Sequence, residues 1–163
     1  MIRLRPTAAF TLVELILVMA LLAIVMALSA PSLSRSLRER HLKDEATRFL
    51  ALTEYGRSEA ESLGVPMIVW IDPTTQRYGI EPKAGFEDVD ARNRDFTLNP
   101  DIHLEFDKAV ASGGLVEAIE FSPDGTPTLS SIDAVRLVDR FDSVFTVART
   151  SDGWGYEILK EAK

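Results

Sequence analysis

Residues 10–30 read FTLVELILVMALLAIVMALSA and form the longest apolar stretch in a chain of 163 residues. Apart from the carboxylate of Glu14, the polar side chains of this stretch are two hydroxyls. As an α-helix it is about 30 Å long, which matches the hydrocarbon thickness of a bilayer. The sequence therefore predicts a transmembrane helix segment over residues 10–31, preceded by the short basic segment of residues 1–9.

Three interpretations compete for this basic start followed by an apolar run. The pattern is typical of a secretory signal peptide, with small residues for cleavage at Ala27-Leu28-Ser29, and also of a simple membrane anchor. Neither gives a reason for Glu14, because an ionised carboxylate inside a bilayer costs roughly 2.5–3.5 kcal/mol and usually has a partner. Cleavage between Ala9 and Phe10 creates an α-amino group one helical turn from Glu14. In an assembly, the amino terminus of one subunit can then neutralise the Glu14 carboxylate of its neighbour.

The order of these features resembles a known processing signal. Ala9-Phe10-Thr11-Leu12-Val13-Glu14, followed by the apolar helix, is similar to the class III signal of type IV pilins and type II secretion pseudopilins. That family usually has Gly where this chain has Ala9. The resemblance implies that residues 1–9 are a leader peptide and that a prepilin peptidase/N-methyltransferase cuts before Phe10 and methylates the new amine. It also implies that Glu14 supports assembly of the subunits.

Beyond Pro31 the pattern changes from uniformly apolar to amphipathic. Apolar residues recur mostly at three- and four-residue steps between charged side chains. The members of this stripe are Leu33, Leu37, Leu42, Ala46, Phe49, Leu50 and Leu63. We predict one helix from Phe10 to about Ser62, with residues 32–64 as its amphipathic continuation and Gly64 near its end. The family resemblance implies that Pro31 bends or loosens this helix at its midpoint.

Residues 65–163 carry strand signals, so the predicted fold class is α+β, with a long N-terminal helix packed on a small antiparallel β-sheet domain. Six strands are predicted, over residues 67–71, 77–81, 116–121, 134–138, 144–148 and 156–159. From 82 to 107 acidic residues gather, which predicts an exposed acidic loop with a short strand near 102–106. The stretch 119–127, IEFSPDGTP, followed by a C-terminal hairpin, narrows the resemblance to the minor pseudopilin H family.

Composition and charge exclude several classes of function. The chain has no cysteine, which excludes disulfides, thiolate metal sites and cysteine nucleophiles. Its two histidines are predicted to lie apart, His41 on the helix and His103 on an edge strand. Acidic residues outnumber basic ones, 25 against 18, which argues against a nucleic-acid partner. Asp88 and Asp90 begin like a calcium loop, but Arg92 stands where a third oxygen is expected, so a solvated acidic loop is favoured. No cofactor and no metal is predicted.

Together with the resemblance, these observations predict a non-enzymatic minor pseudopilin of a type II secretion pseudopilus. The resemblance implies a place in the inner membrane with the sheet domain in the periplasm, and as partners other pilin or pseudopilin subunits, the processing peptidase, membrane lipid and secreted cargo. Counting the positive charges of Arg35, Arg38, Arg40 and Lys43 would favour the opposite orientation. Two alternatives stay open: a minor type IV pilin, acting in pilus assembly or DNA uptake, and an exported or membrane-anchored enzyme.

Overall fold

The computed structural model describes residues 11–86, 94–106, 111–112 and 115–160, without the side chains of residues 28–38, 111–118 and 160. The chain divides into two compact units, Met1–Arg38 and Glu39–Lys163.

One helix, α1, extends from Leu12 to Leu63, which confirms the predicted helix over these residues. Its end is set by Gly64, which has a positive φ of 67° and donates its N–H to the carbonyl oxygen of Ala60 at 2.9 Å. Glycine adopts this left-handed conformation without strain, so it closes the last turn of the helix. Pro31 lies within α1, and the bend predicted there stays a prediction.

In the described part of the chain, no helix has the combination of length and apolarity that a membrane span requires. The membrane-spanning role of residues 10–31 stays a prediction.

The described residues after α1 form two antiparallel sheets. Their strands are β1 (Met67–Asp72), β2 (Arg77–Pro82), β3 (Arg94–Thr97), β4 (Ile102–Phe106), β5 (Ala111–Ser112), β6 (Leu115–Phe121), β7 (Ala134–Asp139), β8 (Val144–Arg149) and β9 (Tyr156–Lys160). One sheet has the strand order β3-β2-β1-β6-β5, and the other has the order β4-β7-β8-β9. The sequence predicted a single sheet, because turn residues mark where a chain reverses but not which sheet the next strand joins.

The six predicted strands are confirmed, each within one residue of its predicted bounds. The predicted loop over residues 82–107 is corrected, since it contains β3 as well as β4, and β4 is the short strand expected there. Strand β3 has one half-buried apolar residue, Phe96, so it has almost no strand signal of its own. It is held by distant residues: the Phe96 ring lies 5.7 Å from the ring of Tyr78, and the Arg94 guanidinium lies 4.1 Å above the ring of Tyr55.

In the unit of residues 39–163, one face of α1 packs against the sheets. Fully buried side chains on this face, at three- and four-residue steps, are those of Leu42, Ala46, Phe49 and Ala60. Gly56 continues the same face, and a Cβ atom there would come within 2.4 Å of the Ile80 side chain. A glycine at this position therefore allows β2 to approach the helix closely.

A polar group is buried where α1 meets β2. The hydroxyl of Tyr78 donates to Glu45 Oε1 at 2.8 Å, and Arg48 Nη1 lies 3.3 Å from Glu45 Oε2. Tyr78 is fully buried, and the Glu45 side chain is 7% exposed. Burial, followed by the hydrogen bond to Glu45, raises the pKa of Tyr78 well above its usual range. The phenol therefore stays neutral and acts as a donor to the carboxylate.

Candidate functional site

The candidate site is the start of α1, where Thr11 caps the helix. The backbone N–H of Glu14 donates to Thr11 Oγ1 at 3.2 Å, and the N–H of Leu15 donates to the Thr11 carbonyl oxygen at 3.2 Å. The first bond satisfies an N–H group that a helix start otherwise leaves without an intrahelical partner, and the second is the first regular intrahelical bond. Glu14 consequently occupies the third position of the helix, near the positive end of the helix dipole, where a carboxylate is favoured.

From Leu12 to Ala27 the helix is apolar on all sides, and every described side chain in it is exposed. Its large apolar side chains are between 43% and 74% exposed. A helix that is apolar all round is normally buried in other helices or in lipid, because this much apolar surface is unfavourable in water. Glu14 carries the one charge in this stretch of sequence. The segment therefore has the surface of a helix that packs against other helices or lipid.

The structure describes some of the other predicted site residues and leaves others outside the described ranges. Ala9 and Phe10, at the predicted cleavage point, lie outside the described residues, as do Asp88 and Asp90. His41 is an exposed residue of α1, as predicted. His103 lies on the edge strand β4, also as predicted, with Nε2 3.3 Å from Glu105 Oε1.

The cap at Thr11 was not predicted, although the sequence contained its signal. Thr11 and Glu14 have the Thr-x-x-Glu spacing of a capping box, which is a known mark of helix starts. The Thr11 hydroxyl supplies one half of that motif, by accepting the N–H of Glu14. The start of the helix is therefore set at Thr11 by its own sequence.

The second compact unit, Glu39–Lys163, is called the globular unit here, and its described residues show no reactive centre. No group of three or more His, Asp or Glu side chains there is placed to hold a metal ion. The shifted carboxyl groups are those of Asp72, Asp124 and Asp152, and threonine hydroxyls that donate to these groups lower their pKa values. Each of these aspartates lies in a turn, where the same carboxylate also accepts backbone N–H groups. These contacts stabilise turns and do not assemble a nucleophile with a base.

Comparisons with known proteins agree with this geometry. A family model described as a prokaryotic N-terminal methylation motif matches residues 4–30. No curated protein matches the chain in sequence. Two solved structures of the minor pseudopilin EpsH from the type 2 secretion system of Vibrio cholerae are similar to it, each with a TM-score of 0.57. The fold is pilin-like. The predicted pilin-like α+β fold is therefore confirmed.

The extent of that likeness is large and its sequence identity is low. The two EpsH structures are 16% and 15% identical to the chain, each covers 76% of it, and 99% and 96% of the EpsH chains are covered in turn. Identity at this level establishes the pilin-like fold alone. The methylation motif, by contrast, falls on the predicted leader, the capped helix start and the exposed apolar segment.

Proposed function

We propose that this chain is a minor pseudopilin-like structural subunit of a type II secretion pseudopilus. In this proposal it is inserted in the inner membrane with its C-terminal domain in the periplasm, processed before Phe10, and assembled through the N-terminal part of α1. The observation that carries the proposal is the exposed, all-apolar helix surface over residues 12–27, with Glu14 at its capped start. The methylation motif, which covers the same residues, supports it.

The proposed mechanism exchanges one kind of burial for another. Each large apolar side chain moved out of water stabilises a complex by about 1.5–3 kcal/mol, so residues 12–27 are strongly disfavoured in solvent. Before assembly the surrounding lipid covers this surface. During assembly, packing against equivalent helices of neighbouring subunits replaces the lipid, without returning the side chains to water.

Glu14 favours the assembled state over the lipid-bound state and fixes the offset between neighbouring helices. A carboxylate near hydrocarbon is costly, and an amine on an adjacent subunit relieves that cost only if the two helices meet at a fixed offset. Processing before Phe10 provides such an amine at the start of each mature subunit. The Thr11 cap holds the Glu14 backbone in the first helical turn, which limits the positions that its carboxylate can reach.

The test compares Glu14→Ala with Thr11→Ala in the organism that makes the protein. Glu14→Ala should leave the amount of membrane-bound chain unchanged but reduce assembled subunits and secretion, because the charge partner is lost. Thr11→Ala is the comparison variant: it loosens the same helix turn and keeps the carboxylate, so its assembly defect should be smaller than that of Glu14→Ala. Normal assembly and secretion in Glu14→Ala would contradict the proposal, and an equal defect in both variants would show that the cap matters and not the charge.

Mass spectrometry of the mature N-terminus tests the processing step separately. The proposal requires a chain that starts at a methylated Phe10. A chain that starts near Ala30 would instead show an exported soluble domain, and an intact Met1 would show a simple anchor.

A further inference from the structure

A groove of about 210 Å³ lies on the globular unit, between the second half of α1 and the turn that joins β8 to β9. Glu54 and Arg57 line it from the helix, and Asp152 and Trp154 line it from the turn. Arg57 and Trp154 are 97 residues apart in the chain, so the groove exists only in the folded domain.

The turn that carries Trp154 is fixed by hydrogen bonds, so this wall of the groove is preformed. The N–H of Thr150 donates to the Gly155 carbonyl oxygen at 2.9 Å, and the N–H of Trp154 donates to Asp152 Oδ1 at 3.0 Å. The Trp154 carbonyl oxygen accepts a hydrogen bond of 3.3 Å from Arg57 Nη1, which ties the turn to the helix. Trp154 is nevertheless 55% exposed. An exposed aromatic ring on a fixed backbone loses little conformational entropy on binding, which is typical of an interface anchor.

The floor of the groove is apolar, and its hydroxyl groups already have partners. Phe121 and Tyr156, which line the floor, are both buried. The Tyr156 hydroxyl donates to the Ile132 carbonyl oxygen at 2.7 Å, and the Thr53 hydroxyl donates to the Leu50 carbonyl oxygen at 2.7 Å. The floor therefore favours an aliphatic or aromatic group over a small polar molecule.

The rim of the groove carries more negative than positive charge. Glu54 and Asp152 are exposed, and Arg57 pairs with Glu61, with 3.1 Å between Nε and Oε1. Three carboxylates therefore surround one guanidinium. Hydrogen bonds from the Thr150 hydroxyl and from a backbone N–H of the turn, assisted by the charge of Arg57, lower the pKa of Asp152 and keep it ionised. The rim therefore favours a cation.

We propose that this groove receives a lysine or arginine side chain from a different subunit of the assembly. The methylene stem of that side chain lies on the apolar floor and against the ring of Trp154, and its charged head pairs with Glu54 and Asp152. An apolar side chain would leave the carboxylates without a partner, and a metal ion would leave the floor uncovered. The inference deepens the proposed function and rests on it, because it takes this chain to be assembled beside other subunits.

The surface cations of this chain itself are poorly placed to fill the groove of a second copy. In the described part of the globular unit, many of them already lie against a carboxylate or an aromatic ring of their own chain. They include Arg48, Arg77, Lys83, Arg94, Arg136 and Arg140. Arg40 and Lys43 are also exposed, but they precede Glu54 by about 14 and 11 residues, or about 21 and 16 Å along a helix axis. Pairing of Glu14 with the amine of Phe10 would offset identical neighbours by only about four residues, or roughly 6 Å.

Photo-cross-linking in the organism that makes the protein tests the groove. A phenylalanine that carries a benzophenone group replaces Ser151, which is exposed in the turn beside Trp154. The same residue at Thr74, in the exposed β1–β2 turn, is the matched control. Mass spectrometry identifies the linked protein and maps the linked position. We expect the Ser151 probe to link to a different pilin-like subunit, close to a lysine or arginine, and the Thr74 probe to give no such link above background.

Charge reversal tests the pairing in the same assay. Glu54→Lys should reduce the Ser151 cross-link by about tenfold, and a change of the mapped cation of the partner to Glu should restore part of it. Asp44→Lys, at another exposed carboxylate of α1, is the control and should leave the cross-link unchanged. Trp154→Ala should also reduce the cross-link, whereas Trp154→Phe should retain most of it. An unchanged cross-link in Glu54→Lys would overturn the inference.

A probe in the apolar segment separates this inference from the proposed function. The same photoreactive residue at Ile16 reports packing of the N-terminal part of α1 against other subunits, without any part of the groove. Suppose that Ile16 links to pilin-like subunits while Ser151 stays at the control level, links to a second copy of the chain or links to a protein that is not pilin-like. The groove inference is then wrong and the assembly proposal stands. If neither position links to another subunit, both are wrong.

Discussion

Two stretches of α1 differ in apolar content and have opposite surroundings. Over residues 12–27 every large apolar side chain is exposed, whereas Leu42, Ala46, Phe49 and Ala60 are all fully buried. The second stretch is amphipathic and lies against sheets made by its own chain, which cover one face. The first stretch is apolar on all faces, and one sheet could not cover it. The comparison indicates that the second stretch stabilises the domain and that the first serves contacts outside it.

The largest expected effect on the free energy of unfolding comes from a cavity in the buried stretch. Phe49→Ala removes a fully buried ring that packs 5.3 Å from the ring of Tyr78, and we expect it to lower the free energy of unfolding by about 3–5 kcal/mol. Ile16→Ala, which truncates an exposed side chain, should change it by less than about 0.5 kcal/mol. Denaturant unfolding of the full-length chain in detergent measures both. Equal losses would mean that the two stretches do not differ in role.

A smaller effect is expected from the buried polar group of the second stretch. Tyr78→Phe removes the hydroxyl that donates to the buried Glu45 carboxylate, and should cost about 1–3 kcal/mol of unfolding free energy. Glu61→Gln, in the exposed pair with Arg57, is the control and should cost no more than about 0.5 kcal/mol. A cost for Tyr78→Phe as small as that of the control would show that Glu45 finds another donor.

The same tyrosine predicts a dependence on alkaline pH. Because the pKa of Tyr78 is raised in the folded state, its contribution is complete below the pKa of an unfolded tyrosine, about 10, and is lost as the pH rises above that value. Stability should therefore fall from about pH 10 upward in the natural chain, and less steeply in Tyr78→Phe.

The smallest expected effect concerns one exposed turn of the globular unit. Thr150→Val removes the hydroxyl that donates to Asp152 at 2.5 Å, so the pKa of Asp152 should rise towards its ordinary value of 3.8. Since the folded-state pKa is lowered, this turn is stabilised above the ordinary carboxyl pKa, and the contribution is lost as the pH falls through the folded-state value. Carboxyl NMR titration measures the shift. Thr75→Val should shift Asp72 and leave Asp152 unchanged, and the reverse result would contradict the assignment of these hydrogen bonds.

Much of this fold could be predicted from local sequence signals. The strands with β-branched and apolar runs were placed within one residue, and Gly64 correctly indicated the end of α1. Strand β3 was missed because its stability comes from contacts with residues far away in sequence, such as Tyr55 and Tyr78. The division into two sheets was missed for a similar reason, since it depends on which strands pair over long separations.

The candidate site divides in the same way. Glu14 and the apolar run were apparent from sequence, since a lone acid in such a run is unusual. The Thr11 cap was not predicted, although the Thr-x-x-Glu spacing is a local signal for it. The hydrogen bond from the Glu14 N–H to Thr11 Oγ1 shows the cap in the structure. By contrast, the hydrogen bond from Arg57 to the Trp154 carbonyl oxygen in the globular unit has no local signal, because the two residues meet only in the folded chain.

The margins of the five-stranded sheet have a consequence for the proposed assembly. Its outer strands are β3, with four residues, and β5, with two. In β3 the side chains of Arg94, Asp95 and Thr97 are exposed. Short strands with charged side chains are poor templates for hydrogen bonding to the backbone of another molecule. Crowding many such domains side by side therefore carries little risk of strand pairing at these two edges, and in the proposed assembly growth is left to the helices.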